Sequence, residues 1–348
     1  MTSPPHETAA SPAAPREAAF ARPSTRHLLI GAAVVAAAAA PLAATNFVTF
    51  QLTMVMIYGL AILGLNLLTG FNGQFSLGHS AFYGIGAYAA AILMNQNVGY
   101  YWTLPCAGAL CFAVGFLFGL PALRLQGIYL ALATFALAIA MPQLLKYQPF
   151  EPLTGGVQGI VLAKPDPPAG LPVNADQWLY YFTLAVLLVM FAGAASLVNS
   201  RTGRAIMAIR DHPTAAAAMG INTALYKTLT FGVSALYTGV AGALGAIVVQ
   251  FVAPDSFSFL LSVSFLVGLV VGGVGSIPGS LFGGLFVLFV PNLAEKVSSG
   301  LAGAVYGVIL LVVIFVMPSG AAGFVRLAAG RLASPWRAHF SRSEGRSP

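Results

Sequence analysis

The chain alternates between long apolar runs and short polar interruptions. Apolar runs fall at residues 28–45, 47–69, 76–94, 102–122, 127–146, 178–198, 228–252, 258–277, 279–297 and 301–318. A bilayer core takes about 20 residues of helix, so each run predicts one span. Most are apolar on every face, which erases the 3.6-residue stripe of a water-facing helix and marks helices surrounded by lipid or by one another. Between residues 28 and 145 the only Lys, Arg, Asp or Glu is Arg124. A charge at mid-membrane costs about 2.5–3.5 kcal/mol on insertion scales, so this lack of charge is what admits the helices to lipid. A helix also satisfies its backbone groups within its own segment, as that solvent demands. The expected fold class is an all-α integral membrane protein with about ten transmembrane helices.

Composition sharpens the reading. Only 7% of the 348 residues are charged and 58% are hydrophobic, and mean hydropathy is +0.85. Soluble domains carry about 25% charged residues, so a soluble enzyme, a nucleic-acid binder and a disordered scaffold are all excluded. The net charge of +7 resides in loops and tails. An even number of spans puts both termini on one side. If that side is the cytoplasm, it holds Arg16, Arg22, Arg26, Arg124, Arg201, Arg204, Arg210, Lys227, Arg326, Arg331, Arg337, Arg342 and Arg346, which is 13 of the 16 basic residues. The positive-inside rule selects this orientation over its mirror image. Three parts follow: a disordered cytoplasmic tail over 1–26 without apolar period, a transmembrane domain over 27–325, and a basic cytoplasmic tail over 326–348. The run 28–45 reads as an uncleaved first span, with a signal peptide ending near Ala43 and Ala44 as the rival reading. Cys106 and Cys111 stand five residues apart and so do not share a helix face. They read as packing residues rather than a disulfide or metal pair.

Two glycine-rich segments interrupt the apolar pattern. The first, GFNGQFSLGHSAFYGIGAY over 70–88, sets Asn72, Gln74, Ser76, His79 and Ser80 among Gly70, Gly73, Gly78, Gly84 and Gly86. Polar side chains at membrane depth need partners or a water-lined cavity, and a broken helix is tolerated only against protein or a passage. Gly84, Gly86, Ala87 and Ala90 offer a small-residue face for close helix packing. The second, GLVVGGVGSIPGSLFGG over 268–284, carries Gly275, Ser276 and Ser280 around the helix breaker Pro278. Such paired interruptions in the two halves of a chain point to internal repeats and a translocation path. The path residues predicted are Asn72, Gly73, Gln74, Ser76, Gly78, His79, Ser80, Gly275, Ser276 and Ser280. For His79 the readings are packing with hydrogen bonding, a place on the path, or metal or proton chemistry; a lone histidine makes a poor metal site. No metal-ligating and no catalytic residue is predicted.

Two loops stand out. The segment 147–177, proline-rich from Pro149 to Pro172, is the longest external connection and reads either as a solvated link or as a docking surface for an external partner. The segment 199–228 is the one long cytoplasmic loop between spans. Its core, RTGRAIMAIRDHPTAAAAMGINTALYK over 201–227, predicts two short helices. One runs near 203–210 with Arg204 and Arg210. The other follows Asp211 and His212, opens at Pro213, continues through Thr214, Ala215 and Ala216, and stops at Gly220 in a left-handed turn. An alanine-rich helix this short needs a partner surface, and an ordinary amphipathic surface loop is the other reading.

The stretch GLNLLTGFNGQFSLGHSAFYGIGAYAAAIL over 64–93 resembles the hallmark segment of the membrane subunits of branched-chain amino-acid ABC importers, the LivM type. RTGRAIMAIRDHPTAAAAMGI over 201–221 resembles the ATPase-coupling loop of the same family, and the resemblance covers roughly residues 45–320. In the broader permease class the coupling motif opens Glu-Ala-Ala and has a glycine four positions after the second alanine. Here Thr214-Ala215-Ala216 precede Gly220, so Thr214 replaces the Glu. The resemblance implies a multi-pass permease of the bacterial inner membrane. It would pair with a LivH-like permease, two cytoplasmic ABC ATPases that hold the ATP and Mg, and an extracytoplasmic solute-binding protein. No cofactor is expected in this chain, since no G-x-x-x-x-G-K-[ST] loop occurs. Permeases for urea or short amides are the alternative within that class. A secondary transporter would bury ionisable residues along its path, which these spans lack, and a small-solute channel is a more distant reading.

Overall fold

The computed structural model describes residues 23–125, 127–168, 173–297, 300–317, 320, 321 and 323. Of the disordered tail predicted over 1–26, residues 1–22 lie outside the described residues, and residues 23–26 form the first turn of a helix instead; the tail predicted over 326–348 lies outside the described residues. The helices are α1 (Pro23–Ala43), α2 (Asn46–Leu65), α3 (His79–Asn95), α4 (Tyr100–Ala122), α5 (Ile128–Leu145), α6 (Glu151–Thr154), α7 (Ala175–Asn199), α8 (Arg201–Asp211), α9 (Pro213–Ala218), α10 (Thr223–Val249), α11 (Phe259–Gly272), α12 (Gly279–Val297) and α13 (Ala302–Val316). Each of the ten apolar runs carries a helix. Among the described residues, six helical stretches are long and apolar enough to cross a membrane on their own: Asn46–Phe71, α4, α5, α7, α10 and α12. The polar breaks shorten others. The run over 76–94 becomes helical only at His79, and the run over 258–277 stops at Gly272, because the segments between hold non-helical turns.

The helix α1 forms a unit of its own, and the chain from Ala44 onward forms a second. In the second unit α2 and α10 are the central helices. In each, 83% of the most apolar stretch is buried by protein, against 39% for α4, 33% for α5 and α12, and 22% for α7. The outer helices therefore keep apolar faces free for lipid or a neighbouring subunit. α10 packs on α2, α3 and α4, while α2 also packs on α7 and α12. Glycines let these backbones approach. A side chain at Gly86 on α3 would run into the Gly239 carbonyl on α10, and one at Gly283 on α12 into the Gly268 carbonyl on α11. The small-residue face read at Gly84, Gly86, Ala87 and Ala90 is thus a packing surface of α3: both alanines are buried, Gly86 abuts α10, and Gly84 lies against Phe257. Cys111 is buried and Cys106 exposed, both as free thiols.

The segment over 147–177 is tied down more closely than a slack link. Thr154 Oγ1 donates to the Leu145 carbonyl at 2.8 Å. Strand β1 (Ile160–Val161) pairs antiparallel with β2 (Phe251–Val252), just after α10. Lys146 meets Asp255 at 2.5 Å and Lys164 meets Asp176 at 2.5 Å.

Candidate functional site

The first break begins inside α2. At Asn66 the helix slips from α to π register and stays there through Phe71. Such slips are uncommon and cluster at functional places. The chain then turns at Gly73, whose φ of 72° a side chain would resist. The turn is closed locally: the Gln74 amide donates to the Leu68 carbonyl at 3.1 Å, and Thr69 Oγ1 donates to the Gln74 carbonyl at 3.0 Å. It is also tied to α10, since Gln74 Nε2 donates to the Lys227 carbonyl at 3.1 Å.

His79 opens α3 and is 1% exposed. Its ring lies between two serines. Ser234 of α10 donates its hydroxyl to the Gly64 carbonyl at 2.6 Å, which commits that proton. His79 Nε2, at 2.8 Å from Ser234 Oγ, must therefore be the donor of that pair. Nδ1 is then left to accept from Ser76 Oγ at 3.0 Å. The arrangement holds one neutral tautomer with both ring nitrogens satisfied, which is the hydrogen-bonding role among the three readings of this residue. Beside it, Ser262 of α11 donates to Ser80 Oγ at 2.8 Å and accepts from the Ser80 amide at 2.8 Å. The Leu77 amide donates to Thr134 Oγ1 at 2.9 Å, and Gly78 packs against the Thr134 backbone.

The second break lies between α11 and α12, with positive φ at Gly273 and Gly275. Ser276 Oγ accepts from the Gly279 amide at 3.3 Å, helping to start α12. The two breaks meet through one side chain. Asn66, fully buried, donates to the Ser276 carbonyl at 2.9 Å and, more weakly, to Ser280 Oγ at 3.4 Å. Its Oδ1 accepts from the Gly275 amide at 2.8 Å. Asn72, 2% exposed, is different: neither of its amide atoms has a hydrogen-bond partner among the described residues. A buried polar group left in that condition costs about 1–3 kcal/mol.

The structure thus joins Gly275, Ser276 and Ser280 to the first break, joins Ser76 to His79, and places Ser80 in a separate pair. Asn66, Ser234, Ser262 and Thr134 complete the network but were not singled out by sequence reasoning. Asn66 left a readable trace, an amide inside an otherwise apolar run. Hydroxyls in apolar helices are too common to stand out, because they can bond to their own preceding turn.

The two short helices of the basic loop form as predicted in outline. Ser200 caps α8, accepting from the Gly203 amide at 3.3 Å, while Ile206 and Ile209 bury its inner face. Pro213 opens α9, and Gly220 follows with a φ of 82°. In α9 only Ala216 is buried. Thr214, Ala215, Ala217 and Ala218 are exposed, and Met219 beside them is 83% exposed. Arg204 Nη1 donates to the Asn199 carbonyl at 3.4 Å. Arg210 pairs with Asp211 at 2.9 Å and donates from Nη1 to the Gly70 carbonyl at 3.1 Å. An apolar recess lined by Leu67, Phe71, Leu197, Val198, Ile206 and Thr230 lies between α8 and the π-turn.

The family described as "branched-chain amino acid transport system / permease component" matches residues 47–317. The chain is similar to the high-affinity branched-chain amino acid transport permease LivM of Escherichia coli K12, with 33% identity over 273 residues, covering 72% of this chain and 64% of that protein. It is 34% identical over 248 residues to LivM of Salmonella typhimurium, covering 64% of this chain and 58% of that protein. LivH of Salmonella typhimurium is 26% identical over 285 residues, covering 76% of this chain and 91% of that protein. The chain therefore spans less than two thirds of the length of these two LivM proteins. No solved structure gives a significant match.

Proposed function

Because the chain belongs to the branched-chain amino acid transport permease family, we propose that it is a permease subunit of an ABC importer and forms half of a path for branched-chain or related amino acids. The observation that carries this reading is the pairing of two broken helices through Asn66 beside a basic peripheral helix pair. α9 presents exposed alanines and Met219, an apolar edge that water disfavours and that a groove on another protein would cover. The likeness to both LivM and LivH proteins supports pairing with a second, LivH-like permease. Two cytoplasmic ATPases with ATP and Mg, and an extracytoplasmic binding protein, complete the proposed assembly in the bacterial inner membrane. Both termini then face the cytoplasm, by the bias of the loop arginines.

In this reading ATP binding and hydrolysis move α8 and α9, whose residues Arg204, Arg210, Asp211, Pro213, Thr214, Ala215, Ala216 and Gly220 form the coupling surface. The break residues Asn72, Gly73, Gln74, Ser76, Gly78, His79, Ser80, Gly275, Ser276 and Ser280 border the path. All of them except Gly73 and Gly275 are buried, so opening requires the two breaks to part. A solute shifts such an equilibrium only by binding the two states unequally. The test is reconstitution. The chain alone in liposomes should accumulate no leucine, and the complete complex should do so on addition of ATP. Accumulation by the lone chain under a sodium or pH gradient would overturn the proposal. Competition by isoleucine and valine, but not by urea, would fix the substrate class.

A further inference from the structure

We infer that Gly70 is the junction through which a displacement of α8 reaches both helix breaks at once, with Arg210 and Asn66 as the positioning residues on its two sides. The inference rests on the proposal that α8 and α9 receive the motion of the ATPases. On one side, the Gly70 carbonyl accepts from Arg210 Nη1 at 3.1 Å. The guanidinium is steadied by Asp211, which accepts from Nε at 2.9 Å and meets Nη2 at 2.9 Å. The stem of Arg210 crosses Gly73 so closely that a side chain there would lie 2.9 Å from Arg210 Cγ.

On the other side, Gly70 has no room for any side chain. An added Cβ would collide with Asn66 Oδ1 and lie 2.7 Å from the Gly275 amide nitrogen. Asn66 in turn holds the second break by both its donor and its acceptor. One residue without a side chain therefore touches the peripheral helix through its carbonyl and the second break through its α-carbon. It does so inside a π-turn, where the helix has already departed from α register. The Asn66 side chain is fully buried, where low dielectric strengthens its bonds, so a shift at Gly70 is passed on to residues 275–276. Asn72, two residues beyond Gly70, holds unspent hydrogen-bonding capacity that a rearranged turn can use.

The test uses the complete complex in proteoliposomes, with uptake and ATP hydrolysis measured in the same preparation. Arg210→Ala and Asn66→Leu should each lower the solute moved per ATP hydrolysed about five-fold or more, the range of an ordinary coupling free energy, and Asn66→Leu should do so with binding-protein-stimulated hydrolysis kept within about two-fold. Arg210→Lys, which keeps a donor for Gly70 but not the fork on Asp211, should restore part of the ratio. The double variant should be no worse than the poorer single one, because both act on one linkage. Arg210 is partly exposed, so Arg210→Ala carries the test if Asn66→Leu fails to assemble. An unchanged ratio, or uptake and hydrolysis falling in parallel, overturns the linkage while leaving the permease reading standing. A wild-type complex without ATP-driven uptake overturns both.

Discussion

His79→Ala and Ser234→Ala, made singly and together, test whether a closed hydrogen-bond chain holds the first break to α10. His79→Ala deletes the bonds at 3.0 Å to Ser76 and 2.8 Å to Ser234, each worth about 0.5–1.5 kcal/mol. It also leaves the O–H of Ser76, a residue 1% exposed, without its acceptor, although Ser76 Oγ still accepts from the Gly78 amide at 3.4 Å, and it removes the ring that stands edge-on to Phe82 with centroids 6.0 Å apart. Together these give a loss of about 2–4 kcal/mol. Ser234→Ala removes the donor to Gly64 and leaves the His79 Nε2–H without an acceptor, a loss of about 1–3 kcal/mol. Once the imidazole is gone, Ser234 has only the Gly64 bond left to lose. The double variant should therefore fall short of the summed losses by about 0.5–1.5 kcal/mol. Unfolding of the purified chain in mixed micelles, followed by tryptophan fluorescence, reads all four states. Strictly additive losses would refute the shared chain, and so would single losses within the error of wild type. His79→Asn completes the series: full uptake by that variant would exclude a path role and leave hydrogen bonding as the whole of it.

Further outcomes follow from the same geometry. At Gly220 a Cβ meets nothing within 4 Å, but φ is 82°, so Gly220→Val carries only backbone strain of about 1–2 kcal/mol. The subunit should insert while uptake uncouples from hydrolysis, and ATPase stimulation unchanged from wild type would count against a coupling role. Asn72→Leu removes two unpartnered buried atoms and should stabilise the closed state by about 1 kcal/mol in melting experiments while slowing uptake; a loss of stability would show that the amide has a structural partner. Lys146 and Asp255 pair where Asp255 is 73% exposed, so Asp255→Asn should move stability by less than about 1 kcal/mol. Mass spectrometry of the membrane-inserted protein should find residues 28–45 retained, and a mature start near residue 45 would identify them as a signal peptide instead.

How far the sequence could be read depends on what solvent dictates. Lipid forces every apolar run into a helix, so the runs at 102–122 and 178–198 nearly coincide with α4 and α7. The breaks were legible as clusters of glycine and polar residues. What the breaks do was not. Asn66 finds its partners more than 200 residues away, and no local pattern encodes which distant carbonyl an amide will meet. The β1–β2 pair is two residues per strand, too short for alternation to show. The proline-rich segment over 147–177 could be read as a solvated link or as a docking surface, because its ties run through backbone groups, a threonine and one Lys164–Asp176 pair, whose pairing no local pattern announces. Gly220 was legible for the opposite reason: a helix stop is a local event.

A chain nearly without charge in its spans has few polar groups to place, and their placement locates its moving part. Elsewhere in the second unit several close contacts are backbone against backbone across glycines, as at Gly86 with Gly239 and Gly268 with Gly283. Such contacts leave no slack and favour motion of helix pairs as rigid bodies. The buried Asn66, Gln74, Ser80, Ser234 and Ser262 are instead matched across the two halves of the chain at or beside the interruptions, whereas buried threonines of α2 and α10 bond to their own preceding turn. A contact that is specific but easily exchanged for another is what a two-state element needs. The π-turn at Asn66–Phe71 meets that requirement in a way the straight helices do not. It is helical enough to transmit a displacement, it lacks tight α register, and it touches α8 at one end and the second break at the other. If motion arrives from outside the membrane, this turn is where it can enter the bundle without first breaking a glycine-packed helix pair.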